Sequence, residues 1–547
     1  MKKYPLYNVA YYKNFRDYLY GIAQINKDKP AVTFYDRKGN ETCVSYNRLV
    51  HDSFAFALFL QREGLHGKHI AIVGENSYAW LIAYLGTVAS ASVAVTIDIE
   101  QPTETIHNMI TKADSEIVIA SPAVYSICET LLENGSISRL FLMNQSLLSD
   151  PCEELPPEML TFPDYSDFIL PITDDTTAAI VYTSGTTSTS KPVVLTQIGI
   201  LTNMADGTSL ITAGKRLFNS LPFYHTFGLN SSLLAIFLVG PVICINGDLK
   251  TLMRDLKAFN PDSLMAVPLL VETLHRMLWI GIEKAGKKKE VKKLVNIVKK
   301  LQRLGLPVKS KTLIGIKQQG IGDLPNISCG GAHIELEILE DLRAFGIVVL
   351  EGYGITECSP LISVSRNRYY KFSSVGLIAP NYEVKFVDGE IFVKGISVMK
   401  GYYNSPEETE KVFEDGWFKT GDLGYMDKKG FLYITGRKKN LIVFKNGKKV
   451  SPEEVEAKLS KIDLIKEVVA YGASSGTSTD DVKLAIMVYP DPDLTKGMSS
   501  YEILEALQRE IDVLNQAFPS YKQIQMINIR EGEFSKTASK KIKRQMV

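Results

Sequence analysis

Apolar residues recur at helical spacing across Tyr46–Glu63 (YNRLVHDSFAFALFLQRE), and the pattern stops before Gly64. A short strand is predicted at Lys68–Val73, with Gly74-Glu75-Asn76 as the turn behind it. From Asn76 to Ile97 no residue is charged, and the run is nearly long enough to cross a bilayer. Ser77, Gly86, Ser90 and Ser92 interrupt it, and near Val88 the spacing changes from helical to the β-branched run VASASVAVTI. That change predicts a buried helix followed by a buried strand rather than a membrane span. Glu104–Ala113 reads as a further helix, and Glu116–Ala120 and Thr177–Tyr182 as further strands. Helices alternating with short β-branched strands predict βα units on a largely parallel sheet.

The pattern changes twice more. Asp206–Leu249 alternates strand-like LFNSLPF and PVICI around a helix-like apolar middle, and Pro261–Pro268 leads into a helix through Trp279. Asn326–Gly331 is a strand ending in a tight turn, Ile334–Phe345 a helix and Ile347–Leu350 a strand. Hairpin turns at Asp388-Gly389 and Lys429-Gly430 then mark antiparallel β structure. Gly436-Arg437 is the expected domain boundary, dividing the chain into 1–436 and 437–547. Beyond it, Ser451-Pro452-Glu453-Glu454 has the form of a capping box with proline at the first helical position, opening a helix to about Lys461. Strands EVVAYGA and KLAIMVYP, a helix from about Ser500 to Phe518 and strand QMINIRE complete a small α+β domain. The expected fold class is α/β: a large N-terminal domain of mixed and largely parallel sheets with flanking helices and a β-rich subdomain, and a small C-terminal domain.

A chain of 547 residues exceeds a single core, in keeping with two domains. Lys+Arg 62 against Asp+Glu 61 leaves it near neutral, which argues against a bulk nucleic-acid binder. Cysteines 43, 128, 152, 244, 329 and 358 are scattered without a CxxC pair, which fits reduced thiols in the cytoplasm. The N-terminal MKKYPLYNVAYYKNF has no apolar core of a signal peptide. Lys284–Lys311 is the most biased stretch, with eleven lysines and arginines opposed only by Glu290. Val291, Leu294, Val295, Ile297, Val298, Leu301 and Leu304 recur within it near helical spacing. Such a helix either lies on an anionic membrane or packs its apolar stripe on its own domain.

Candidate chemistry begins at Tyr182–Thr196, YTSGTTSTSKPVVLT. Small hydroxyl residues around Gly185, closed by Lys191, offer backbone N–H groups, hydroxyls and one positive charge to a polyphosphate. The GxxxxGK[ST] spacing of a Walker A loop is absent, and a Ser/Thr-rich surface loop is the plainer alternative. Seven further blocks follow in order: LPFYHTFGL at 221–229, GGAHIELEI at 330–338, EGYGITECSP at 351–360, GEIFVKG at 389–395, WFKTGDLG at 417–424, GRKKNLIVFKNGKKVSPEEVE at 436–456 and KTASKKIKR at 536–544. Together they resemble the adenylate-forming (AMP-binding) superfamily, and within it the long-chain acyl-CoA synthetases, over nearly the whole chain.

The resemblance implies activation of a carboxylic acid by ATP with Mg²⁺, followed by transfer to CoA; an acyl carrier protein is the alternative acceptor and a non-catalytic relative the third reading. It places Thr183, Ser184, Gly185, Thr186, Thr187 and Lys191 on the phosphates, Glu357 on Mg²⁺ and Thr356 on the α-phosphate. It sets Tyr353 against adenine, Gly331, Ala332 and His333 along it, Asp422 on the ribose, and Arg437 on the same ribose or the α-phosphate. Lys439 matches a hinge about which the small domain swings, Gly447 a loop along pantetheine, and Lys541 the lysine bridging carboxylate and phosphate. Three departures stand out: Ser188 and Ser190 replace the loop's usual glycine and proline, and Lys540 the usual glycine before Lys541. Phe223, His225, Phe227 and Gly228 are expected to line or gate the acid pocket. Amino-acid-activating relatives carry an aspartate after the phenylalanine, whereas here Tyr224-His225 follows Phe223, favouring an amine-free acid, medium- or long-chain. The basic helix resembles one in long-chain enzymes and suggests peripheral membrane contact.

Overall fold

The computed structural model describes residues 4–36, 38–143, 161–183, 190–444, 448–474 and 482–536, with Ile542 and Arg544. Its first sheet has seven strands. His69–Val73, Val93–Ile97, Ile117–Ala120 and Arg139–Leu142 are parallel, and Thr177–Tyr182 joins the edge of Val93–Ile97, also parallel. The chain then reverses into the antiparallel strand Pro192–Thr196. The charge-free run is core: helix Tyr78–Ala89 starts on Ser77, whose hydroxyl accepts from Trp80 N, and Val93–Ile97 is buried along its whole length. No helix among the described residues is long and apolar enough to cross a membrane.

The second sheet has nine strands. Pro30–Tyr35, Val242–Ile245, Arg216–Asn219, Ser263–Ala266, Asn326–Gly330 and Val348–Gly354 are parallel neighbours in that order, and antiparallel strands finish both edges. Between 206 and 249 the pattern is less regular than alternation predicts. Asp206 belongs to helix Gln197–Leu210, in which twelve of fourteen residues are buried, so no polar face marks it. Residues 221–223 form a loop, because the Asn76 amide bonds Leu221 O and Phe223 N and takes those groups out of any ladder. The apolar middle winds as a π-helix, Phe227–Leu234, a form frequent at functional sites.

The basic stretch breaks at Gly286 into helices Pro268–Lys284 and Lys288–Arg303. Val291, Val295 and Val298 pack with Val271, Leu274 and Leu278 in the domain's own second core. Lys299 is buried 2.6 Å from Asp341, and Arg303 pairs with Glu340. The apolar stripe is thus occupied, while lysines 289, 292, 293 and 300 stay exposed.

Two-residue turns at Asp388-Gly389, both at positive φ, join Tyr382–Val387 to Glu390–Gly395 in a five-stranded antiparallel sheet. In the C-terminal region, Ile465–Ser474, Val482–Pro490 and Met526–Ile529 form a three-stranded sheet with helices Pro452–Leu459 and Ser500–Gln516. The capping box expected at Ser451 does not form. Its hydroxyl is turned toward Glu453 Oε2, to which it donates at 2.6 Å, and the carboxylate of Glu454 at the third helical position accepts from Lys522 Nζ at 2.7 and 2.9 Å instead of reaching back to the Ser451 N–H. The box forms instead at Ser499 and Glu502.

Candidate active site

The hairpin Thr177–Tyr182/Pro192–Thr196 carries the hydroxyl-rich loop. Thr183 N donates to Lys191 O at 3.0 Å and Lys191 N to Thr183 Oγ1 at 3.1 Å, so the loop's ends are clipped together. Ser184, Gly185, Thr186 and Thr187, like Ser188, lie outside the described residues. Lys191 Nζ donates to Glu408 Oε2 at 2.8 Å and sits 4.6 Å over the Tyr402 ring. Glu408 comes from the first turn of helix Pro406–Val412, and Tyr402 from the strand paired with Pro192–Thr196. Hydrogen bonds from Lys191 and Lys411 hold the Glu408 carboxyl down at about 2. Glu408 thus engages the Lys191 ammonium, and Glu408→Gln is expected to lower KM for ATP severalfold with kcat retained. An unchanged or raised KM in initial-rate measurements contradicts that.

Glu357 lies in the turn Thr356–Cys358, which is pinned by buried side chains. Tyr382 Oη and Asn203 Nδ2 donate to Cys358 O at 2.7 and 3.1 Å, Asn230 Nδ2 to Ser359 O, and Leu361 N returns a bond to Asn203 Oδ1. Asn203 and Asn230 come from the buried helix and the π-helix, so both irregular elements serve this turn. Thr356 is half-buried beside Glu357, whose Oε1 accepts from Tyr402 Oη at 2.9 Å. Burial raises the Glu357 carboxyl, against which the Tyr402 hydroxyl and Arg437 work.

Asp422 is 3% exposed, next to Gly421 at φ 70. Its Oδ2 accepts from Tyr353 Oη and its Oδ1 from Arg437 Nε, both at 2.7 Å. Strand register places Asp422 opposite Arg437, so the pair is built into the hairpin. Lys439 follows, its ammonium held below the usual range by burial and by Arg437 and Lys191, with Asp422 opposing. Lys191, Glu357, Asp422, Arg437 and Lys439 are thereby brought into one charged cluster. On the strand that carries Tyr353, burial raises the Glu351 carboxyl from 4.5 to about 7. A carboxyl whose folded pKa is raised favours folding below its unfolded value and loses that contribution as pH rises through the folded one. Glu351→Gln is thus expected to raise Tm at pH 8 and leave it nearly unchanged at pH 5; equal shifts at both pH values contradict it.

Next to this cluster a cavity of about 140 Å³ runs along the nine-stranded sheet. Asn326, Ser328, Cys329 and Gly330 line it from one strand and Leu350, Gly352, Tyr353 and Gly354 from the next, so the cavity runs along this strand pair. Helix Gln197–Leu210 and the π-helix cover it, and none of its lining side chains is charged. Phe227 is a wall: a Cβ on Gly330 would stand 3.5 Å from its ring. Phe223 packs on Trp80, and His225 borders a separate small void with Tyr84 and Thr96. Gly228 lies under the Pro222 carbonyl, where a Cβ would come within 2.0 Å. Gly331, at φ 102, lines the end of the cavity nearest Tyr353; Ala332 and His333 beside it are exposed.

Gly447 and Lys541 lie outside the described residues. Among the described residues of the C-terminal region, three pairings stand out. Arg544 Nη1 donates to Glu456 Oε1 at 2.7 Å, Lys536 pairs with Glu467, and Lys536 bridges to Ile542. Ser460 Oγ reaches Glu335 Oε1 at 3.0 Å, beside His333. Tyr402, Glu408, Asn203 and Asn230 were not singled out from sequence, although GYYNSPEE, with its aromatic pair and proline-led acidic turn, was a readable signal.

One charged cluster beside an uncharged cavity suits the activation of a carboxylic acid, the chemistry of the adenylate-forming acid–thiol ligases. Residues 22–403 match the AMP-binding enzyme family and 439–547 the AMP-binding enzyme C-terminal domain. The chain belongs to the AMP-binding enzyme family. It is 28% identical over 501 residues to a long-chain-fatty-acid–CoA ligase of Salmonella typhimurium, covering 83% of this chain and 82% of that protein. It is 27% identical over 559 residues to a chloroplastic long-chain-fatty-acid–[acyl-carrier-protein] ligase of Arabidopsis thaliana, covering 85% and 75%. The fold matches the o-succinylbenzoate CoA synthetase of Bacillus subtilis bound to its acyl-adenylate (TM-score 0.73, 22% identity, 96% and 97% covered). It also matches an anthranilate CoA ligase bound to anthranoyl-AMP (TM-score 0.77, 17%, 98% and 96%).

Proposed function

We propose that this enzyme converts a medium- or long-chain fatty acid and ATP to acyl-AMP and pyrophosphate, then transfers the acyl group to CoA, releasing AMP. The observation that carries the reading is the charge-free cavity, whose one end is lined by Gly331 and Tyr353 beside the Asp422–Arg437 pair. A wall without a carboxylate offers no counter-charge to an α-ammonium group, and its largely apolar surface favours an alkyl chain. Carboxylate and triphosphate repel, so the site must neutralise charge and hold the two in line. In this reading Lys191 and the Thr183–Thr187 loop hold phosphates, Thr356 the α-phosphate, and Asp422 and Arg437 the ribose. Glu357 would hold Mg²⁺, a cation that takes few protein ligands and cancels phosphate charge. Lys541 bridges the attacking carboxylate and the α-phosphate. The chain divides at 436/437, with Lys439 the hinge on which the small domain turns and Gly447 beside the pantetheine of CoA.

The Arabidopsis relative supports a carrier-protein thiol as the second reading of the acceptor. Exposed lysines on helix Lys288–Arg303 fit a cytoplasmic enzyme touching an anionic membrane peripherally. Exchange of labelled pyrophosphate into ATP tests the first step. It is expected with octanoate through oleate and not with amino acids; exchange confined to aryl acids contradicts the fatty-acid assignment.

A further inference from the structure

The cavity has a far end, and its closure is a side-chain clasp. From Gly330 it passes Ser328 to Asn326, four strand steps or about 13 Å, the extended length of an acyl chain of roughly ten carbons. At that end its lining reaches Thr212 and Asn367. Asn367 Oδ1 accepts from Thr212 N at 2.9 Å, and Asn367 Nδ2 donates to Thr212 O at 3.3 Å. Asn367 sits in a turn closed by reciprocal backbone bonds between Arg366 and Tyr369, so its amide is presented in place. Arg366 Nε caps Leu210 O, the last carbonyl of the helix roofing the cavity, and its guanidinium also holds Pro5 O. The N-terminal segment is strapped here too, Tyr7 N donating to Ser209 O, and Leu6 and Tyr7 stay exposed.

We infer that the Asn367–Thr212 clasp is the end gate of the acyl cavity and sets the chain length at which an acid must open it. The inference rests on the fatty-acid reading above. Acids of up to roughly ten carbons end inside the cavity. Longer ones part the clasp, and the ω-end leaves beside Leu6 and Tyr7, whose apolar surface shields it from water. Both clasp bonds are solvent-accessible, so opening exchanges them for bonds to water and does not strand a buried donor. Asn367 is a specificity-determining residue and takes no part in the chemistry.

Saturated acids from hexanoate to octadecanoate, assayed as pyrophosphate release by the full-length wild type, Asn367→Asp and Asn367→Ala, test the gate. The readout is the ratio of kcat/KM for hexadecanoate to that for decanoate. It should rise about tenfold in Asn367→Ala, the worth of one or two net hydrogen bonds no longer broken on opening. Asn367→Asp, which keeps the acceptor and loses the donor, should fall between. Activity across the series with the same ratio in all three proteins overturns the gate and leaves the fatty-acid reading standing. No activity with any straight-chain acid, alongside activity with an aryl acid, overturns both.

Discussion

Asp422→Ala is expected to reduce kcat/KM for ATP by a hundredfold or more, about 3 kcal/mol of lost stabilisation. Asp422 is the only group bonded to both the Tyr353 hydroxyl and Arg437 Nε among the contacts seen, and it is itself 3% exposed. Its removal leaves a guanidinium and a phenol facing the site without their acceptor. The Arg437 side chain is 43% exposed, so water recovers part of the loss, and the figure stays below that for a fully buried pair. Asp422→Asn keeps the shape and one acceptor and should fall between. Initial rates at varied ATP check this; a loss confined to the acid's KM would place Asp422 elsewhere in the reaction.

Glu357→Gln should cost more, about 10³-fold in kcat, because the amide cannot supply the anionic ligand that an Mg²⁺–phosphate complex takes from the protein. Burial raises the Glu357 carboxyl above 4.5, and the ionised form is the one that binds a cation. Activity is thus present above the raised pKa and falls as pH drops through it, in a range where an ordinary glutamate is still ionised. Tyr402→Phe removes the hydroxyl that favours the ionised form. Its acid limb should move to higher pH, and a limb that stays put or moves down contradicts the assignment.

The parts of this site that were legible in the sequence are those where one residue type is demanded by local geometry. Gly421 at φ 70 sets the bulge in strand Trp417–Met426 just before Asp422, and Gly331 at φ 102 sets the bend at the cavity mouth. The core strands were legible because burial on both faces produces unbroken β-branched runs. Helix Gln197–Leu210 was not, because burial all round erases the amphipathic period on which helix reading depends. Of Phe223, His225, Phe227 and Gly228, Phe227 lines the cavity and the other three do not. The cavity floor is formed by residues of two paired strands, among them Gly330, Gly352 and Gly354, a juxtaposition visible only once the strands' pairing is known. The basic stretch left two readings open, and packing of Val291, Val295 and Val298 on the neighbouring helix determined where its apolar stripe goes.

The central claim is acid-dependent, AMP-forming thioester synthesis. The most direct measurement is chromatographic quantitation of nucleotide and thioester after incubation with ATP, Mg²⁺, CoA and decanoate. AMP and decanoyl-CoA are expected in equal amounts, neither without the acid, and no thioester without CoA. Formation of ADP, or AMP release indifferent to the acid, would contradict it.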